Sequence, residues 1–299
     1  MRWTAFILLS ASAGLAQNIG SNACRDCHPA QHQAQSNSPH ARSLGPPGQH
    51  RLAASFGPVQ AQWAFGAGSQ AVTFVSQAGP LTYLEHRLTY YPSLKRFAPT
   101  PGHQGLSGPG TFYPLYGADA AILRCFLCHS TGAPAVSESG AIQPAENGVR
   151  CEVCHGPGAL HARSPSPANI LNPKRYSAGE INQFCGSCHR KPAAAGDDTD
   201  FFNDWNTRHQ PLSLSQSRCF TQSRGKLSCL TCHDSHTQDT RPECGSCHPR
   251  PRHTPRVRTA RRTCVECHMP RVRPVEGLRF ANHWIGIYAA GQNLVPRRR

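Results

Sequence analysis

Cys229, two further residues, Cys232 and then His233 form a set with one well-defined chemistry. Two thiols three positions apart fit on one short turn and can both bond to the edge of one planar ring. A histidine directly behind the second thiol lies under the middle of that ring, where a metal sits. This is the covalent attachment pattern of c-type haem, with two thioether bonds and a proximal histidine ligand. It occurs seven times: Cys24, Cys27 and His28; Cys125, Cys128 and His129; Cys151, Cys154 and His155; Cys185, Cys188 and His189; Cys229, Cys232 and His233; Cys244, Cys247 and His248; Cys264, Cys267 and His268. A shuffled chain of this composition would show the pattern about 0.04 times. Seven disulfides would leave the seven histidines unexplained. Zinc knuckles do not require a histidine after each dithiol, and ferredoxin clusters space their cysteines differently. The expected cofactor is haem c, seven copies, covalently held.

Each iron has a second axial position. Met1 and Met269 are the only methionines. Met269 follows a proximal histidine and cannot cross to that haem's other face, so histidine is the available sixth ligand. Seventeen histidines less seven proximal ones leave ten: His32, His40, His50, His86, His103, His161, His209, His236, His253 and His283. His236 comes three residues after His233, on the same side of that porphyrin. As a ligand it would serve a neighbouring haem and draw the two together. His32, four residues after His28, is under the same constraint.

The elements that must hold these groups are short. Hydrophobic residues are 38% of the chain, with 26 Gly and 26 Pro, too little apolar periodicity for layers packed on layers. The haems themselves are expected to form the core, with folding dependent on their attachment. The expected fold is a multihaem cytochrome c, mainly α with much irregular loop, plus a small β hairpin or meander near 60–92. Val72–Val75 and Tyr83–Tyr91 read as its strands, joined near Gly79-Pro80. Pro99–His103 reads as a turn, and Ala118–Leu127 as a helix entering the second motif. Four segments follow: a leader at 1–16, a first haem-binding segment at 17–55, a haem-free β-rich insert at 56–117 and a six-haem body at 118–299.

The leader reading rests on Arg2, the apolar stretch Ala5–Leu9 and the small residues Gly14-Leu15-Ala16. The apolar run is far shorter than the ~20 residues a membrane span needs. An exported, periplasmic protein beginning near Gln17, with no membrane span after cleavage, is the expectation. The formal charge of +15 falls to +14 when Arg2 leaves. Arginines crowd 250–279, at Arg250, Arg252, Arg256, Arg258, Arg261, Arg262, Arg271, Arg273 and Arg279. Two readings stand: Arg pairing with haem propionates, or a solvated face that meets anionic partners. Nucleic acid is not an expected partner of an exported haem protein. Cys219 is the odd thiol; it reads as a buried structural residue or as a thiolate ligand or regulatory thiol.

The motif order resembles that of multihaem c-type cytochromes related to hydroxylamine oxidoreductase, its tetrahaem electron acceptor and pentahaem nitrite reductase. The pieces that carry the likeness are Ser38-Pro39-His40-Ala41, Cys154-His155-Gly156-Pro157-Gly158 with His161, Cys232-His233-Asp234-Ser235-His236, Cys267-His268-Met269-Pro270 and Asn282-His283-Trp284. The resemblance implies that His40, His161, His236 and His283 are distal ligands, with His103, His209 and His253 completing the set. His32 stands where relatives often carry an aromatic residue and is left out. Every motif here ends in His, so the lysine-ligated catalytic haem of pentahaem nitrite reductases is absent.

Two functions fit. One is an electron carrier whose closely packed, mostly bis-histidine haems link periplasmic or membrane-bound redox proteins. The other is a multihaem oxidoreductase with one open haem, acting on a small nitrogen or sulfur compound. No catalytic residue stands out, which favours the carrier.

Overall fold

The computed structural model describes residues 17–50, 60–117, 121–203, 206, 209–249, 253 and 262–297. The leader, the 55/56 boundary, the start of the helix expected from Ala118 and five of the basic-run arginines (Arg250, Arg252, Arg256, Arg258 and Arg261) lie outside the described residues.

The chain folds as two compact units: Met1–Ala67, Phe74–His86 and Gly108–Lys174 form the first, and Gly68–Thr73, Arg87–Ser107 and Arg175–Arg299 the second. The first carries three haem motifs and the second four.

In the first unit, β1 (Leu44–Gly45), β2 (Trp63–Phe65), β3 (Thr73–Gly79), β4 (Thr82–His86) and a strand at Gly110–Pro114 make one five-stranded sheet in that order. β3 and β4 form the expected hairpin, with Gly79 opposite Thr82. The expected strand Tyr83–Tyr91 is two strands. It breaks at Arg87: β4 pairs with the Gly110–Pro114 strand, while β5 (Leu88–Tyr91) pairs with β6 (Arg96–Pro99) in the second unit. β4 lies between β3 and the Gly110–Pro114 strand in one sheet, whereas β5 and β6 form a sheet of their own, and the chain passes from one sheet to the other at Arg87. The Gly110–Pro114 strand is β7.

The sheet shares its core with the helix that carries motif two. Leu44, Phe65, Val75, Tyr83, Leu115, Ile122, Phe126 and Ile142 share one core. Two of these, Ile122 and Phe126, come from the helix that carries the second motif. Tyr83 closes the core with a satisfied hydroxyl: it donates to Gly140 O at 2.9 Å and accepts from Ile142 N at 2.8 Å. Among the described residues this unit has the helices α1 (Pro29–Ser36), α2 (Ala121–His129), α3 (Cys151–His155) and α4 (Ala159–Arg163).

In the second unit the β5–β6 hairpin packs Tyr91 and Ala98 on Leu278. Gly277 lies against the Tyr91 ring with φ +91°, and a Cβ there would come within 2.5 Å of it. Among the described residues the helices are α5 (Ala178–His189), α6 (Gln210–Ser215), α7 (Arg218–Gln222), α8 (Cys244–Cys247) and α9 (Cys264–His268). α5 starts with a reciprocal cap: the Ser177 hydroxyl accepts from Glu180 N, and the Glu180 carboxylate accepts from Ser177 N.

Candidate haem-binding sites

Every motif lies on a tight turn of helix or its equivalent. Motifs two, three, four, six and seven lie on α2, α3, the C-terminal end of α5, α8 (with His248 just beyond its end) and α9. Motif one runs out of a 3₁₀ turn at Ser21–Cys24, and motif five starts on one at Cys229–Thr231. Helical turns bring residues three and four apart onto one face, which places both thiols and the histidine together.

The residues between the thiols anchor some of these turns. Phe126, inside motif two, is fully buried and meets Phe65 and Trp63 edge-on, with ring centres 5.1 and 5.4 Å apart. Glu152, inside motif three, is also buried. Its carboxylate accepts from Ile19 N at 3.0 Å, Gly20 N at 2.9 Å and Gly158 N at 2.7 Å. Glu146 accepts from Ser21 N and from the Ser21 hydroxyl. Two carboxylates thus fasten the backbone just ahead of motif one to motif three, and the Cys24 and Cys151 thiols hydrogen-bond. The shared proton raises the Cys24 thiol and lowers that of Cys151.

The same closeness recurs in the second unit. The Cys185 thiol hydrogen-bonds Cys229, and the Cys244 thiol hydrogen-bonds Cys264. Each contact joins the first thiols of two different motifs, so neighbouring attachment points touch. All the motif cysteines are free thiols rather than disulfides. Cys219 lies near Cys232 and Cys244, half-buried, and burial raises its thiol.

Three proximal histidines each stand opposite a distal candidate. His28 and His161 have ring centres 6.2 Å apart with planes within 20°. His233 and His283 are 6.2 Å apart with planes within 15°. His268 and His253 are 6.0 Å apart, tilted by 38°. One metal between two imidazoles needs about 2 Å for each metal–nitrogen bond and about 1.1 Å more to each ring centre, about 6 Å in all. The gaps match a haem iron with two axial imidazoles.

The ring protons agree with that fit. Nδ1 faces a backbone carbonyl in His129 (Ser43 O, 3.2 Å), His155 (Leu171 O, 2.9 Å), His268 (Gly286 O, 2.8 Å) and His283 (Ala281 O, 2.9 Å). A carbonyl only accepts, so Nδ1 carries the proton and Nε2 keeps its lone pair for a metal. His161 Nδ1 makes its shorter contact, 3.0 Å, to Ser166 O. Two histidines outside the distal set behave differently. Nε2 of His50 meets Gly66 O at 2.9 Å and Nε2 of His86 meets the Ser76 hydroxyl at 2.7 Å.

His283 is held by its loop. Asn282, buried, donates to Asn293 O and Leu294 O and accepts from Trp284 N. Ser217 donates to His283 O and accepts from Ile285 N. Burial, with His233 and His189 nearby, pushes the His283 ring down to about 4. It stays neutral, as a ligand must, well into acid.

The remaining candidates are placed as follows. His40 is half-buried, and its carbonyl accepts from Val149 N at 2.9 Å, just ahead of motif three. His103 is buried at the turn after Thr100. His209 precedes α6. His236 lies in a non-helical turn, where Asp234 Oδ1 accepts from His236 N and Thr237 N, both at 2.8 Å. Arg262, Arg271, Arg273 and Arg279 are exposed.

Sequence reasoning missed Phe126, Glu146 and Glu152 as positioning groups. Only Phe126 and Glu152, lodged inside motifs, carried any signal.

Against known proteins, the family described as "Cytochrome c554 and c-prime" matches residues 117–156. The multiheme cytochrome MtrA of Shewanella baltica is 27% identical over 181 residues, covering 53% of this chain and 47% of that protein. The chain thus spans about half the length of the curated relative it matches. Among solved structures, the outer cell wall cytochrome OcwA has a TM-score of 0.58 at 18% identity, covering 90% of this chain and 79% of its own. The undecaheme cytochrome from the S-layer of Carboxydothermus ferrireducens has a TM-score of 0.53 at 17% identity, covering 91% and 52%. The chain is similar in fold to these two solved cytochromes, one of them multihaem. Among the described residues, no helix is long and apolar enough to cross a membrane.

Proposed function

We propose that this chain is an exported seven-haem c-type cytochrome that carries electrons between redox proteins outside the cytoplasm. The observation that carries the reading is the contact between attachment points of different motifs: Cys24 with Cys151, Cys185 with Cys229 and Cys244 with Cys264. Attachment points this close support neighbouring haems near enough for electron hopping. Haem supplies a one-electron iron couple. The chain supplies the axial imidazoles and the spacing.

On this reading the proximal ligands are His28, His129, His155, His189, His233, His248 and His268. His161, His283 and His253 are distal ligands opposite His28, His233 and His268. His40, His103, His209 and His236 serve the other irons. Bis-histidine ligation without methionine favours low potentials. The narrower kinship with hydroxylamine oxidoreductase and nitrite reductase rests on the motif fragments alone.

The test is intact mass and ferric spectra of exported protein. Seven attached haems, loss of residues 1–16 and low-spin signals are expected. Four haems or fewer would sink the reading. A high-spin ferric signal shifted by cyanide would favour an open-haem oxidoreductase instead.

A further inference from the structure

Asn182 lies on α5, three residues before Cys185 and seven before His189, so all three share one helix face. It is buried, and both ends of its amide are used. Oδ1 accepts from Cys229 N at 3.1 Å and lies 3.3 Å from Cys229 Sγ; Nδ2 donates to Leu227 O at 3.0 Å. A side chain of the helix bearing motif four therefore grips the backbone at the first residue of motif five. The contact to Sγ cannot persist as a hydrogen bond once that sulfur is a thioether; the two backbone bonds can. Next to this grip the Cys185 and Cys229 thiols meet, and His189 lies close to His233 and His283. Gly186 completes the close fit on α5: a Cβ there would come within 2.7 Å of the Lys191 backbone.

We propose that Asn182 is the positioning residue that registers the haem of Cys185 and Cys188 against the haem of Cys229 and Cys232, making the two an electronically coupled pair. This rests on the seven-haem reading above. A buried amide suits the task. It fixes the two segments by directional bonds at both donor and acceptor, and an apolar side chain of equal size would leave the Cys229 amide and the Leu227 carbonyl without their partner. Packing alone would hold the segments together without setting which residue faces which.

The experiment uses the full exported protein and three variants: Asn182→Leu, Asn182→Asp, which keeps the acceptor for the Cys229 amide, and Cys185→Ala/Cys188→Ala, which lacks one haem. Haem count comes from intact mass and coupling from the Soret circular-dichroism couplet. The double-cysteine variant identifies the part of the couplet that comes from this pair. Asn182→Leu should keep seven haems and lose that part, and Asn182→Asp should retain more of it. If Asn182→Leu does not accumulate, Asn182→Ser carries the test with the same two outcomes. An unchanged couplet in a seven-haem Asn182 variant, with or without a lower melting temperature, overturns the proposal. So does a double-cysteine variant whose couplet matches the wild type. Too few haems in the wild type would instead strike the functional reading.

Discussion

His233 and His283 face each other with ring centres 6.2 Å apart and planes within 15°, although fifty residues separate them. His233 is set by motif five, while His283 sits on a loop pinned by Asn282 and Ser217. One iron fits between them. Replacing His283 by Ala should leave seven haems attached, because thioether bonds do not involve it. One haem should turn high-spin in the ferric spectrum. A wholly low-spin spectrum would remove His283 from the ligand set.

His236 tests whether two haems share one turn. Asp234 folds the backbone so that His236 follows His233 closely. His236→Ala should convert a neighbouring haem, not that of Cys229 and Cys232, to high spin. Haem-specific magnetic resonance distinguishes them. Loss of the sixth ligand from the motif's own haem would contradict the argument, and an unchanged low-spin spectrum would leave His236 as a hydrogen-bonding residue.

Phe126 joins motif two to the sheet. Truncating a buried Phe costs about 3–5 kcal/mol. Phe126→Ala should lower the melting temperature and loosen the haem at Cys125 and Cys128 more than the others. Calorimetry together with exchange-broadened signals of that haem checks this. Phe126→Leu should recover most of the loss.

Acid should weaken the start of α5. The Ser177 hydroxyl and backbone hold the Glu180 carboxyl below its ordinary value of 4.5. A depressed carboxyl stabilises the fold above its unfolded value and ceases to do so as pH falls through its folded value. Wild-type stability should therefore fall more steeply than that of Glu180→Gln just below about pH 4.5. Denaturation followed at several pH values should show the two curves converge in acid. Parallel curves would mean that the cap does not matter to α5. Ser177→Ala should cost about 1 kcal/mol at neutral pH.

The proposed chemistry is read from the sequence alone because the attachment pattern is local. Cys229, Cys232 and His233 lie within five residues, and the turn they need forms from those residues alone. The hairpin at Gly79–Thr82 was legible for the same reason. What pairs with what was not. His283 meets His233, Cys24 meets Cys151 and Asn182 grips Cys229 across separations of fifty, 127 and 47 residues. The break at Arg87 likewise depends on which strands lie to either side. Such contacts arise from the packing of distant segments, and spacing along the chain carries no record of them. Sequence by itself therefore determined which atoms are proposed to hold a haem. Tertiary structure decided which attachment points touch, because closing a long loop has a cost that only the assembled contacts repay.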